Sequence, residues 1–477
     1  MSATAEAAPA RERWSAVNRD FREWVERNPE FLRRDRFAAV CEDPALRKLS
    51  LQPWPLFIDA VRLREVERLT LAMDRLVKSV FERFLDDDPE RIAEYYRSAR
   101  ETPSNGFELS EELVMLMMEE PSGIAGAPSR GDYVETDRGL VCIEFNCGGG
   151  LGGLPNNTIA ERHLAGPALS RFLAERGLRA RGPDTLGALF RHCLDDTARL
   201  GAWDGGEFNV AILVRPHDDD QVALTDVELC TRELRRVLEE RAAGRATGGA
   251  VVACGPEDLV EDGSVLRVEG RPVHVVVEQH DGSADMRAIF RHFKRGRLNL
   301  FSGPISVLLG DKRNLALVSE HAGSAEFSAA ERELIAAHVP WTRRVLPGRT
   351  ELHGRTVRLP DDLPELRGQL VLKRATSLGG RHVHIGRFCT DDEWRALLAL
   401  ALREEDWVVQ EYLDPVPCVF QRGEEGAARF DTIWGLFAFG DQFGGGFLRV
   451  QPRSGEHAGV VNTAQGAEVG ILLEVAD

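Results

Sequence analysis

The sequence predicts a mixed α/β (α+β) chain, with a helical N-terminal region and a small open α/β domain near its middle. Three observations lead there. From Trp54 to Leu85, Val66, Leu69, Met73, Leu76, Val77, Val80 and Phe84 recur at i+3/i+4 spacing with charged residues between them. From 208 to 280, short apolar runs flank one amphipathic segment, which is βαβ texture. The last third alternates short strands with one capped helix. The 477 residues, 43% hydrophobic and 29% charged, are enough for several domain-sized units.

The elements are justified in order. Residues 1–20 form a tail or a first helix. The helix over 54–85 starts at Pro53 and Pro55, and 87–120 continues helical, so 1–130 is a mainly helical N-terminal region. "DYVETDRGLVCIEFN" is a β-hairpin around Thr136-Asp137-Arg138-Gly139. A glycine loop follows, then a helix capped by Asn157 or Thr158, which closes a segment 131–205. The small α/β domain spans 206–285, with "FNVAILV", "GGAVVAC", "SVLRVEG" and "VHVVVEQ" as strands. Connecting helices carrying Lys312 fill 286–345, including a capped helix that ends at Pro340. In 346–477, "QLVLKRA" and "RHVHIGRF" are strands around "TSLGG". Thr390 and Glu393 form a capping box, and two antiparallel strands follow around a Gly-rich turn.

Bulk properties exclude some partners. A net charge of −17 opposes nucleic acid or an anionic membrane as the main partner. The eight cysteines contain no C-x-x-C pair, which fits a reduced, cytoplasmic setting. The N-terminus has no apolar signal region, and no apolar run is long enough to span a bilayer. Only five of the sixty basic residues are lysine: Lys48, Lys78, Lys294, Lys312 and Lys373. Where arginine is the rule, a retained lysine marks a place that needs a compact ammonium.

Three stretches carry chemistry. In "IEFNCGGGLGG", Glu144 and Asn146 stand at i and i+2 and share one strand face, with Ile143 and Phe145 on the other. A carboxylate beside an amide carbonyl is a pair of hard oxygen ligands of the kind Mg²⁺ takes alongside phosphates. The glycines satisfy G-x-G-x-x-G, but Leu154-Pro155-Asn156 intervenes before the helix, whereas a dinucleotide cradle opens the helix directly. A cofactor cradle, a metal strand and a structural turn all stay open at this point. In "VLKRATSLGGRHVHIG", Lys373 ends a strand before a small-residue loop, an arrangement that folds over phosphates. In "DWVVQEYLDP", Gln410-Glu411 ends an apolar strand that can lie against a flat base, and Glu411 could reach ribose hydroxyls. His217, His382 and His384 could be ligands or bases, but more often such histidines are ordinary strand or loop residues, and Asp218 to Asp220 read as a solvated helix start.

The order of these pieces, with "GDKRNLALVSE", "VPWTRRV", "GGGFLRVQPR" and "GVVNTAQGA", resembles the ATP-grasp superfamily over 130–466. It looks most like the circularly permuted branch of glutathione synthetases and glutathionylspermidine synthetase, because the acid-x-Asn strand precedes the nucleotide hinge. The resemblance implies a circularly permuted ATP-grasp fold and assigns roles. Lys312 and Lys373 would hold ATP phosphates. Ser377, Gly379, Gly380 and Arg381 belong to the loop that closes over them. Gln410, Glu411 and Leu413 form the adenine and ribose hinge. Glu144 and Asn146 match the Mg²⁺ ligands, Arg449 the arginine near the acyl phosphate, and Asp132 and Asn462 substrate-side positions.

The chain also departs from that branch. Ser377 stands where relatives carry an acidic third metal ligand, so binding of two metal ions would need Asp431 or another acid to substitute. Glu278-Gln279-His280 stands where relatives carry arginines. The implied function is an ATP-dependent carboxylate–amine ligase using ATP and Mg²⁺ and working through an acyl phosphate. Its substrates would be a small-molecule acid and amine, such as an amino acid or peptide, and homo-oligomerisation stays open. The alternatives are a nucleotide-binding module without catalysis and an NAD(P) oxidoreductase using the glycine loop.

Overall fold

The apolar period does make helices in the first hundred residues, with different bounds. The computed structural model describes residues 8–32, 49–96, 126–148, 151–214, 227–242, 248–278, 287–301, 306–377, 379–380, 382–423, 426–453 and 459–476. Helix α1, Ala8–Arg27, buries Phe21, Trp24 and Val25 at i, i+3 and i+4. The expected helix over 54–85 begins only at Ala60 and is interrupted at Ser79, after which Val80–Leu85 is a separate short helix. Of the helix expected over 87–120, Pro89–Tyr96 is helical and 97–120 lies outside the described residues. Before Ala60, Leu56–Asp59 is strand β1. A four-residue apolar run carries no period of its own, so its partner decides its state. Here the partner is the last strand of the chain, which pairs with it in parallel, Leu56 opposite Leu472. The Asp59 carboxylate then accepts the Arg62 N–H at 2.7 Å and caps α2, Ala60–Lys78.

The predicted hairpin is β2, Ser129–Thr136, and β3, Gly139–Cys147. The helix expected after the glycine loop is two, α3 at Asn156–Ala165 and α4 at Pro167–Arg176. Gly166-Pro167 divides them, since proline takes a first helical position readily and an interior one badly. Helix α3 has Pro155, not a side-chain cap, before it.

Strands β4 (Phe208–Leu213), β5 (Gly249–Cys254), β6 (Val275–Glu278) and β7 (Asn299–Phe301) form a parallel sheet in the order β7-β6-β4-β5. Helix α5, Val227–Ala242, packs against β5. The sheet has its own apolar cluster, with Ala211, Val276, Ile289 and Phe293 near zero exposure.

Helices α6, Arg313–Glu320, and α7, Ala329–His338, follow. Helix α7 is capped by Ser328 and Glu331. A second small sheet joins β8 (Thr342–Arg344), β11 (Leu370–Arg374), β12 (Val383–Ile385) and β13 (Trp407–Glu411) in the order β8-β13-β11-β12. Between β8 and β11 lies the hairpin of β9, Gly348–Leu352, and β10, Arg355–Leu359. Helix α8, Asp391–Glu404, covers this sheet and starts with the expected Thr390–Glu393 box. Trp394, Trp407 and Leu372 fill the space between, and each fully buried large side chain there stabilises by roughly 1.5–3 kcal/mol.

Strands β14 (Ala427–Phe439), β15 (Gln442–Pro452) and β16 (Glu468–Ala476) complete the large sheet, ordered β1-β16-β15-β14-β2-β3. The β14–β15 turn is at Gly440-Asp441. Gly444 to Gly446 lie inside β15, beside a register shift at Leu436/Ala438. The main core lies against this sheet and includes Met73, Leu76 and Val77 of α2. The described cysteines are free thiols. Among the described residues, no helix is long and apolar enough to cross a membrane.

Candidate active site

Two strand pairs of the large sheet present the first half of the site. Arg130 and Asp132 alternate on β2 and face Asn146 and Glu144 on β3 in register. Arg449 arrives on the same face from β15, where it lies opposite Ile433. Behind β3, Phe145 enters the core as expected, whereas Ile143 stays half-buried. The Ile143 carbonyl has another use: it accepts Lys373 Nζ at 2.9 Å.

Asp132 is the hub of this half. Its Oδ1 accepts Arg130 Nε at 2.9 Å. Its Oδ2 accepts Arg130 Nη2 at 3.1 Å, Arg449 Nη2 at 2.6 Å and Asn146 Nδ2 at 3.2 Å. At 1% exposure it is sealed from solvent. Burial pushes its carboxyl upward, but the two guanidiniums outweigh that and hold it below the usual carboxylate range.

The small sheet and α6 supply the second half. Lys312 sits in a turn held by its neighbours, where Asp311 accepts the Arg313 N–H at 2.8 Å and pairs with its guanidinium at 2.7 Å. Lys312 N donates to the Ala375 carbonyl, and its Nζ reaches the Ser377 carbonyl at 2.7 Å and Glu144 Oε1 at 3.1 Å. Lys373, on β11 opposite Val408, donates to Gln410 Oε1 at 2.8 Å, and Gln410 Nε2 is held by Thr342 Oγ1. Burial lowers the Lys373 ammonium to about 8, against the pull of Glu144. Burial alone would raise Glu144, but Lys312 and Lys373 bring it below its ordinary value. Glu144 remains a quarter exposed, so it faces solvent space as well as Lys312. Four cations (Arg130, Arg449, Lys312, Lys373) meet two carboxylates (Asp132, Glu144), leaving two net positive charges in a chain of −17. That local field suits a polyanion.

The loop after β11 lies close by. Ser377 Oγ meets His382 Nδ1 at 2.9 Å, a pairing not read from sequence. Gly379 and Gly380 hold φ of 66° and 70°, and the Gly380 carbonyl accepts Gln465 Nε2 at 3.1 Å. A Cβ at Gly380 would stand 3.1 Å from Val460 and 3.6 Å from Asn462, so the loop tip rests on the segment containing Asn462. Arg381 lies outside the described residues, as do His217, the Asp218 to Asp220 run, and Gln279 and His280.

Other expected residues sit differently. The Glu411 carboxylate turns away from Lys373 to His353 Nε2 at 3.0 Å and Arg138 at 3.5 Å, because successive strand residues face opposite sides. Leu413 is half-buried just past β13. Asp431 lies opposite Gln451 and pairs with Arg453 at 3.1 Å. Burial raises its carboxyl. It lines a cavity of about 630 Å³ with Tyr412, Asp414 and Gln451, apart from the Glu144–Asn146 pair. One wall of that cavity is the Arg387 guanidinium over the Tyr412 ring at 3.9 Å.

Arg130 was not read from sequence. Its signal was there: it alternates with Asp132 and sits opposite Asn146 in the hairpin register. The glycine loop also gains a reason. Gly153 has φ of +92°, and a Cβ there would stand 2.3 Å from the Phe447 ring, while the Gly152 carbonyl accepts Arg130 Nη1 at 3.0 Å. Gly149 and Gly150 lie outside the described residues.

No protein-family model matches this chain, and no curated protein matches it in sequence. Among solved structures, it is similar to a glutathione synthetase-like effector from Globodera pallida in its apo form. The TM-score is 0.53 and the identity 14%, over 89% of this chain and 90% of that one. It also matches a candidate gamma-glutamylcysteine synthetase from Methylobacillus flagellatus KT, with a TM-score of 0.40 and 12% identity over 84% and 87% of the two chains. The first likeness is one of fold: a mixed α/β architecture shared with a glutathione synthetase-like protein.

Proposed function

We propose that this protein is an ATP-dependent carboxylate–amine ligase on a circularly permuted ATP-grasp fold. One observation carries the reading. Lysines from two separate elements, Lys312 and Lys373, converge on the Glu144 carboxylate and the Ile143 carbonyl of one strand. A buried ammonium pair beside an acid-x-amide strand is what a magnesium–nucleotide phosphate chain requires.

The residues fit Mg²⁺ on chemical grounds. Glu144 and Asn146 offer oxygen donors. Among the described residues there is no group of three or more His, Cys, Asp or Glu able to form an all-protein cage. A two-ligand site suits an ion that keeps phosphate oxygens in its shell. When bound, Mg²⁺ supplies charge neutralisation on those oxygens. Lys312 and Lys373 bind the phosphates, and Gln410 and Thr342 aim Lys373. The cavity lined by Tyr412 and Asp414 takes the base and ribose.

Arg449 and Arg130 hold the substrate acid. Its carboxylate oxygen bonds to the γ-phosphorus as the bond to the bridging oxygen breaks and ADP leaves. An amine then forms a C–N bond to the acyl carbon, phosphate departs, and the amine's proton is released. The loop at 375–382 keeps water from the acyl phosphate. The test supplies ATP, Mg²⁺ and panels of carboxylic acids with hydroxylamine. Hydroxamate and ADP are expected with some acid, and neither with any acid would overturn the reading. Glu144→Ala is expected to abolish turnover in a folded protein.

One observation favours a second reading, a nucleotide-binding module without catalysis. Ser377 stands where an acid would add a metal ligand, and its hydroxyl faces His382. ATP binding without hydroxamate from any acid is its expected signature. The oxidoreductase reading is less supported, since the strand before the glycine loop is paired antiparallel with β2, whereas a dinucleotide cradle follows a strand of a parallel βαβ unit.

A further inference from the structure

Sequence placed Asp132 beside the substrate. Its burial and its four donors point to a different task. The Asp132 carboxylate takes two nitrogens of Arg130, one of Arg449 and the amide nitrogen of Asn146. A carboxylate flanked by two guanidiniums only accepts hydrogen bonds, so the Asn146 side that faces it must be the –NH₂. The other end of that amide, Oδ1, is thereby turned away from Asp132. The one further acceptor on Nδ2, the Arg130 carbonyl at 3.4 Å, is too long to hold the amide alone.

We propose that Asp132 is the positioning residue of the site: it fixes the Asn146 amide with its carbonyl oxygen toward the metal position beside Glu144, while the same carboxylate aims Arg130 and Arg449. The inference rests on the proposed metal role of Glu144 and Asn146. It makes the metal side and the acid-binding side share one buried anion. An outer partner that orients a metal ligand commonly matters nearly as much as the ligand.

Asp132→Leu tests it with little change of volume. Leucine offers no acceptor, so Asn146 Nδ2 keeps only the long bond to the Arg130 carbonyl and the amide is free to turn. Turned, Asn146 presents N–H groups to the metal. The probe is Mn²⁺, titrated in the presence of ADP and followed by electron paramagnetic resonance on the full chain. Asp132→Leu should weaken Mn²⁺ by about ten- to a hundred-fold, while metal-free ADP affinity, carried by Lys312 and Lys373, does not fall.

Adding Asn146→Asp gives an oxygen to the metal whichever way that side chain turns, and returns a carboxylate to the arginines. The double variant should therefore regain most of the Mn²⁺ affinity, which a merely structural role of Asp132 would not produce. If Asp132→Leu does not fold alone, the double variant is read by itself: folded and Mn²⁺-binding supports the inference, folded and Mn²⁺-blind overturns it. Unchanged Mn²⁺ affinity in Asp132→Leu, with the parent binding, overturns the inference alone. A parent that binds neither Mn²⁺–ADP nor ADP overturns the nucleotide reading and this inference with it.

Discussion

Lys373 bears the largest electrostatic demand in the site, since burial has already lowered its ammonium to about 8. An incoming phosphate favours the charged form, so binding takes up a proton above that pH. ADP affinity should then fall as pH rises through about 8, by up to ~tenfold per unit from this group. In Lys373→Met the dependence should flatten, as isothermal titration across pH 7–9.5 would show. The sign for stability is opposite. From about 8 up to its ordinary 10.5, the unfolded chain holds a proton here that the folded chain does not, so this residue makes stability rise with pH. Glu144→Gln leaves Lys312 without its carboxylate and removes a metal oxygen. Mn²⁺ affinity should drop at least ~tenfold while metal-free ADP binds as well or better, because one negative charge is gone. The lysine scarcity was legible in part: Lys78, Lys312 and Lys373 are buried and bonded, Lys78 to Asp74 at 2.8 Å, whereas Lys294 is exposed and Lys48 lies outside the described residues. Asp431 was not legible, because Arg453 is its own strand neighbour's choice of partner and no spacing in the sequence announces that pair.

Element by element, local chemistry was read well where the signal is local. Thr390 with Glu393, and Ser328 with Glu331, cap their helices as the box pattern requires. Thr390→Ala should lower stability to urea by about 1 kcal/mol and leave ADP affinity unchanged, since α8 contributes nothing to the site but the backing of its sheet. Gly380 is the contrasting case. It holds φ of +70° with Val460 3.1 Å from where a Cβ would be. Gly380→Ala should cost the closed loop about 1–2 kcal/mol, read as faster proteolysis within 375–382 that ADP no longer suppresses. Strand β1 was misread as helix because four apolar residues have no period, and its pairing partner lies more than four hundred residues away.

Over the whole molecule, the two halves of the site come from separate sheets, and a nucleotide–metal ligand between them should stabilise the fold as a unit. ADP with Mg²⁺ at a hundred times its dissociation constant should add about 2.7 kcal/mol of apparent stability, seen as a raised melting temperature, while NAD⁺ and NADP⁺ should leave it unchanged. By itself the sequence determined the mixed α/β class, the hairpin carrying Glu144 and Asn146, the capped helices, and the pair of lysines, because each is written in short-range period, turn chemistry or residue choice. Tertiary structure alone decided what those residues touch. Asp132 became a buried hub by meeting Arg449, Glu411 turned to His353 and Arg138, and Gly153 answered to Phe447. Those outcomes depend on contacts between segments far apart in the chain, and a strand's own pattern says which side chains share a face but not which face of which other strand they will meet.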